Sequence, residues 1–253
     1  MTRAARILSE TGMYHIIFRG INKNTLFYDD YDFRKLLEIL DIVKSDLKFQ
    51  LYAYCLMSNH VHLFIKEENQ GDIKQIMKRI LTRYAMWYNK RYDRSGPVIG
   101  NRYKSEPIED DAYFLTLIKY IHMNPVKAGI TQTPNNYIWS SYNDYFNDNS
   151  TLTDTEYVMS LLSEGHGNST IAFNALHSNT DDIDFSISDT KTLTDEQAKR
   201  KIQHVIGIEA YKIAYQPIAY RNQIISKLRN EGFTIRQLVN VTGLQKSIIE
   251  KIK

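Results

Sequence analysis

Two runs at strand period, Phe49 to Leu56 and His60 to Lys66, are separated only by Met57-Ser58-Asn59. A connection that short joins neighbouring antiparallel strands, so the chain must build a sheet around this hairpin. The flanking segments supply the rest. Residues 13–19 read as a strand, ended by Gly20 and the polar turn Asn22-Lys23-Asn24. Asp30 to Lys44 places Phe33, Leu36, Leu37, Leu40 and Ile42 near helical period, and Asp72 to Tyr92 is a long helix. A short extended piece runs from Tyr103 to Ile108. A further helix follows, capped by Asp110 or Asp111 and terminated by Pro125 and Gly129. Strand, helix, hairpin, helix, strand, helix predicts an α+β fold: a ferredoxin-like antiparallel sheet with helices on one face.

Composition shifts divide the remainder. The net charge of +3 conceals +5 over residues 1–130, −1 over 131–146, −9 over 147–198 and +8 over 199–253. Residues 147–194 are rich in Asn, Asp, Ser and Thr; part, Thr155 to Leu162, suits a helix, and most reads as an acidic polar linker. From 195 the pattern is helical again. Ile218 to Asn230 stops at Gly232, Thr234 caps Ile235 to Val241, Gly243 makes a turn, and Leu244 to Lys253 forms a last helix. The expected organisation is a domain over 1–146, a linker over 147–194, and a small all-α, helix-turn-helix-like unit over 195–253. Two basic units suit an anionic polymer, and Arg236 and Lys246 are the candidate contacts in the second. A single cysteine, Cys55, excludes an internal disulfide framework, and no apolar stretch is long enough for a membrane span. With no secretory signal evident, a cytoplasmic protein is expected.

The chemistry lies in the hairpin and the helix before Pro125. His60 and His62 flank Val61 on a strand, so both imidazoles take one face. Tyr120 and Asn124, four apart, share one face of a helix. Taken singly, each has an ordinary alternative: paired histidines on a half-buried sheet, a helix-end asparagine, a core tyrosine among 18. Together they are two imidazoles, an amide oxygen and a phenol, a set able to hold a divalent ion and attack a phosphodiester.

His60-Val-His62 with Tyr120-Ile-His-Met-Asn-Pro-Val-Lys-Ala-Gly129 resembles the single-tyrosine HUH transposases, most nearly the REP-associated branch. Residues 14–20, Arg102-Tyr-Lys-Ser105, the acidic residues 109–111 and Trp139-Ser-Ser-Tyr142 also match, so the resemblance covers about residues 10–146. Ser58 departs from the proline often found before the Asn-His-x-His run. The resemblance implies an HUH endonuclease core in which Tyr120 is the nucleophile. His60, His62 and Asn124 would hold one divalent ion, Mg²⁺ or Mn²⁺. The implied substrate is single-stranded DNA carrying a hairpin, cut through a 5′-phosphotyrosine intermediate, with a homodimer left open.

Around this core, Arg19 on the first strand and Arg102 and Lys104 beside the extended piece are expected to contact phosphate. On the helix over 72–92, Arg79 and Arg83 accompany Tyr84, Trp87 and Tyr88 in a pattern suited to single-stranded nucleic acid. His122 faces away from Tyr120, and His15 shares a strand face with Arg19. Tyr103 is a rival nucleophile without an amide four residues on. The other readings are a DNA-binding regulator that no longer cuts, a replication initiator or relaxase using the same chemistry, and a His-x-His metal hydrolase. The last would need a larger barrel of alternating strands and helices.

Overall fold

The computed structural model describes residues 7–147, 151–166, 168–178, 195–230, 233 and 235–252. They fall into two compact units, Met1–Ile187 and Ser188–Lys253. In the first, β1 (Met13–Gly20), α1 (Asp30–Leu47), β2 (Gln50–Met57), β3 (His60–Lys66), α2 (Ile73–Arg91) and β4 (Ile99–Pro107) follow in turn. They form a four-stranded sheet of order β2-β3-β1-β4, antiparallel at every described pairing. The first five elements and β4 thus make the ferredoxin-like βαββαβ layer that the sequence order implies.

Alternation decides what each face carries. Tyr14, Ile16 and Phe18 of β1 and Val61, Leu63 and Ile65 of β3 enter one core with α1 and α2, through Leu36, Leu40, Ile76, Ile80 and Tyr84. The intervening residues, among them Ala53, Cys55 and Phe64, are equally buried in a second core. There the expectation of helices on one face fails. α3 (Asp111–Lys127) packs on the opposite face through Leu117, Ile118 and Ile121. Strands that are apolar on both sides would otherwise leave one side in water, at roughly 25 cal/mol per Å² of apolar surface.

The expected linker is also corrected. Residues 156–178 form α4 (Glu156–His166) and α5 (Ser169–Ser178), and Val158, Leu162, Ala172 and Phe173 complete the second core. The part of that segment over 179–194 lies outside the described residues. The chain between α3 and α4 covers the exposed edge of β2: Leu56 donates its N–H to the Trp139 carbonyl, and Tyr54 donates to the Ser141 hydroxyl. Trp139-Ser-Ser-Tyr142 is therefore an edge seal, which keeps a sheet from pairing with another chain.

Local signals explain the boundaries. Asp29 and Asp32 form a reciprocal capping box at the start of α1. Asp110 caps α3 by accepting from the Tyr113 N–H at 2.8 Å. The Ser58 position keeps its tight turn because the Ser58 carbonyl accepts from Leu26 and Phe27, while the Asn59 carbonyl accepts from Gly20. Pro125 does not end α3 as expected; it sits inside the last turn, and the helix continues to Lys127.

The second unit contains α6 (Asp195–Ile206), a 3-10 turn over Ala210–Tyr215, α7 (Ile218–Asn230), α8 (Ile235–Thr242) and α9 (Lys246–Glu250). They enclose their own core of Ile202, Ile213, Ile225, Leu228, Leu238 and Ile249 among others. Gly243, at φ +74°, makes the turn between α8 and α9, and α9 is shorter than the helix expected over 244–253. Gly232 and Thr234 lie outside the described residues.

Candidate active site

His60 and His62 lie on the α3 side of the sheet, with Val61 on the other. Across the β1–β3 pair, Arg19 stands opposite His60 and Ile17 opposite His62. α3 crosses above them. The Tyr120 ring meets the His62 ring edge-on at 5.7 Å between centroids and the His15 ring at 5.9 Å. The fold thus brings His60, His62 and Tyr120 together, and Asn124 follows one turn later on α3.

Each candidate ligand is held by its far end. His60 Nδ1 lies 2.7 Å from Asn59 Oδ1, an atom that can only accept, so the His60 proton sits on Nδ1 and Nε2 keeps its lone pair. The Asn59 amide nitrogen in turn donates to the Lys23 carbonyl. His62 Nδ1 is engaged with His15 Nε2 at 3.1 Å, leaving its Nε2 as the outward nitrogen. The Asn124 amide nitrogen donates to the carbonyls of Tyr120 at 2.8 Å and Ile121 at 3.4 Å. The second of these is the carbonyl that a residue 125 N–H would serve, and proline has none. The Asn-Pro pair therefore fixes the amide with Oδ1 facing away from the helix backbone.

Electrostatics keep the imidazoles neutral. Burial pushes His60 down to about 4, with the Arg19 charge adding to the effect. Burial takes His62 well below its ordinary value, assisted by His15, His60 and Arg19. A neutral imidazole is the metal-binding form. Among the described residues no three His, Cys, Asp or Glu side chains converge to hold a metal, so an ion here would need the Asn124 oxygen beside the two histidines. Two imidazole nitrogens and one amide oxygen suit Mg²⁺ or Mn²⁺ less tightly than carboxylates do, and leave coordination positions for phosphate oxygen and water.

Charged neighbours share this face. Tyr103 belongs to the α1/α2 core, while Lys104, paired with Ile17, lies on the α3 side; Arg102 falls where the β1–β4 register shifts. That placement removes Tyr103 as a rival nucleophile, since its ring is buried behind the sheet. Lys127, one turn beyond Asn124, places Nζ 5.6 Å from the Tyr120 ring centroid. Its position seven residues after Tyr120 is a signal the sequence carries, and the strand face that His15 shares with Arg19 is one along which His15 lines the site. Arg79 and Arg83 stand apart from the site. They lie on α2, across the sheet, and pair with Asp46 at 3.3 and 3.6 Å. In the second unit Lys246 pairs with Glu250 at 3.4 Å, and the Arg236 side chain lies outside the described residues. His122 faces away from Tyr120, buried against His177 and Ser141. Cys55 is a buried free thiol.

Residues 9–124 match the family model described as Transposase IS200 like. A curated chain of Haemophilus influenzae, named as a REP-associated tyrosine transposase, is 27% identical over 105 residues, 37% of this chain. The match spans 59% of that relative's length. Among solved structures, a REP-associated tyrosine transposase bound to a REP hairpin aligns with TM-score 0.49 at 17% identity, covering 62% of this chain and 96% of its own. A transposase from Deinococcus radiodurans aligns with TM-score 0.34 at 17% identity, over 48% of this chain and 94% of its own.

Proposed function

We propose that the first unit cuts and rejoins single-stranded DNA beside a hairpin, with Tyr120 as nucleophile and His60, His62 and Asn124 holding a divalent ion, Mg²⁺ or Mn²⁺. The observation that carries this reading is that His60 Nδ1, His62 Nδ1 and the Asn124 amide nitrogen are each engaged by a neighbour, while the His62 ring meets the Tyr120 ring at 5.7 Å.

The ion, when bound, would polarise a non-bridging phosphate oxygen. The rest falls to the chain. The Tyr120 oxygen attacks phosphorus and loses its proton to solvent. The bond from phosphorus to the 3′ oxygen breaks, and that oxygen takes up a proton. The products are a 5′-phosphotyrosyl link and a free 3′-hydroxyl, and attack by any suitably placed 3′-hydroxyl reverses the step without an external energy source. A phenol titrates near 10, so a cation beside the ring matters; Lys127 supplies one. Arg19, Arg102 and Lys104 hold the backbone.

Unstacked single strands suit this site, because a phenol nucleophile needs an accessible phosphate, which duplex DNA offers less readily. The second unit, with its +8 charge over 199–253, adds affinity for the DNA through Arg236, Lys246 and neighbouring basic residues. α8, the Gly243 turn and α9 follow the helix-turn-helix outline, in which the second helix reads the groove. The function is tested by incubating labelled hairpin-bearing single strands with the protein and Mn²⁺, and looking for a protein–DNA band that resists denaturation. Binding of hairpin and metal without such a band would instead favour a regulator that no longer cuts.

A further inference from the structure

His15 is wholly buried, yet it is not placed like a core residue. Its Nε2 meets His62 Nδ1 at 3.1 Å, the two ring planes lie within 20° of each other with centroids 5.4 Å apart, and its ring meets that of Tyr120 at a steep angle. Its other nitrogen, Nδ1, has no hydrogen-bond partner among the described residues. An apolar side chain would fill this volume without leaving a buried polar atom unpaired. The histidine must therefore provide something that a leucine would not.

What it provides is an acceptor. A neutral imidazole carries one proton, and free imidazole side chains place it on either nitrogen. If the His62 proton sat on Nε2, that nitrogen could not act as a ligand. We propose that His15 is a positioning residue for His62. It accepts the His62 Nδ1–H on its own Nε2, fixes the ring plane, and so holds the His62 Nε2 lone pair towards the metal position. His15 then carries its own proton on the unpartnered Nδ1, which is the cost of the arrangement. The role parallels that of the Asn59 oxygen behind His60. Outer partners of this kind set ligand tautomer and orientation, and their loss lowers metal affinity about 10- to 100-fold. This inference rests on the reading of His60, His62 and Asn124 as a metal site.

Two measurements on the full chain test it. The first is Mn²⁺ titration by calorimetry of wild type, His15→Phe, His15→Gln and His60→Ala, with circular dichroism as the check on folding. His15→Phe keeps a ring and removes the acceptor; His15→Gln keeps an oxygen at the reach of Nε2. Affinity is expected to fall about 10- to 100-fold in His15→Phe and to recover most of that in His15→Gln. Unchanged affinity in His15→Phe, or equal loss in both variants, overturns the positioning role. The second is the histidine ring nitrogen spectrum of metal-free wild type, with His62 assigned by its absence in His62→Gln. His62 is expected as the Nδ1–H tautomer; the Nε2–H tautomer overturns the inference even where His15→Phe does not fold. If wild type binds no Mn²⁺, the metal reading itself fails and the inference falls with it. If His60→Ala loses binding while His15→Phe keeps it, only the inference fails.

Discussion

At the scale of single residues, the site is defined less by which side chains are present than by what their far ends touch. Asn59 exemplifies this. Its oxygen fixes the His60 proton on Nδ1, so Asn59→Ala is expected to weaken Mn²⁺ binding about tenfold or more while leaving the fold intact, as calorimetry with a melting curve would show. Lys127→Met is expected to act differently. It removes the cation near Tyr120 and should slow formation of the covalent adduct about tenfold or more with Mn²⁺ affinity unchanged; equal effects on both would place Lys127 among the ligands' supports instead. That His60 and His62 share a strand face, and Tyr120 and Asn124 a helix face, was legible in the sequence because strand and helix periods are local. The partnership of His15 with His62 was not, because it depends on the β1–β3 register. That register sets His15 against Phe64 and only diagonally against His62, and no local pattern reports it.

At the scale of elements, α3 carries the candidate nucleophile Tyr120 together with residues that pack into the second core. Its inner side is tied to α5 by a chain of hydrogen bonds: the Phe173 carbonyl accepts from His177 Nδ1, His177 Nε2 pairs with His122 Nδ1, and His122 Nε2 pairs with the Ser141 hydroxyl. Burial pushes His177 down to about 4, against its hydrogen bond to the Phe173 carbonyl and with the Lys119 charge adding; burial takes His122 well below its ordinary value, with His177 adding. Both are thus depressed in the folded chain. Their contribution to stability is complete above the unfolded value near 6.5 and is lost as pH falls from there towards about 4. The melting temperature is expected to drop over that window, and to drop less in His177→Gln; an identical profile in the variant would contradict it. β1 ends where a side chain cannot fit, since a Cβ on Gly20 would run into the Asn24 carbonyl. Gly20→Ala is expected to cost about 1–3 kcal/mol in denaturant unfolding. The second face of the sheet was written in the sequence as apolar residues at both parities of the strands, including Ala53, Cys55 and Phe64. α4 and α5 were obscured by polar surroundings, although Val158 and Leu162, and then Ala172 and Phe173, keep helical spacing.

At the scale of the whole molecule, the two units divide the work. In the proposed function the first unit holds the chemistry and the second, with its excess of Lys and Arg, the general affinity for polyanion. Among the described residues no helix is long and apolar enough to cross a membrane. A chain ending before Ser188 is expected to retain adduct formation at saturating DNA while its DNA affinity falls about tenfold or more, with a shallower dependence on salt. Filter binding at two salt concentrations would show this; unchanged affinity would mean that the second unit serves another partner.

The most direct test of the central claim is the covalent adduct. Labelled hairpin-bearing single strands would be incubated with Mn²⁺ and wild type, Tyr120→Phe or His62→Ala, then separated under denaturing conditions. A metal-dependent protein–DNA band is expected in wild type and absent in both variants, with Tyr120→Phe still binding metal and DNA. A band that persists in Tyr120→Phe would contradict the assignment of Tyr120 as nucleophile and with it the chemistry argued from this site.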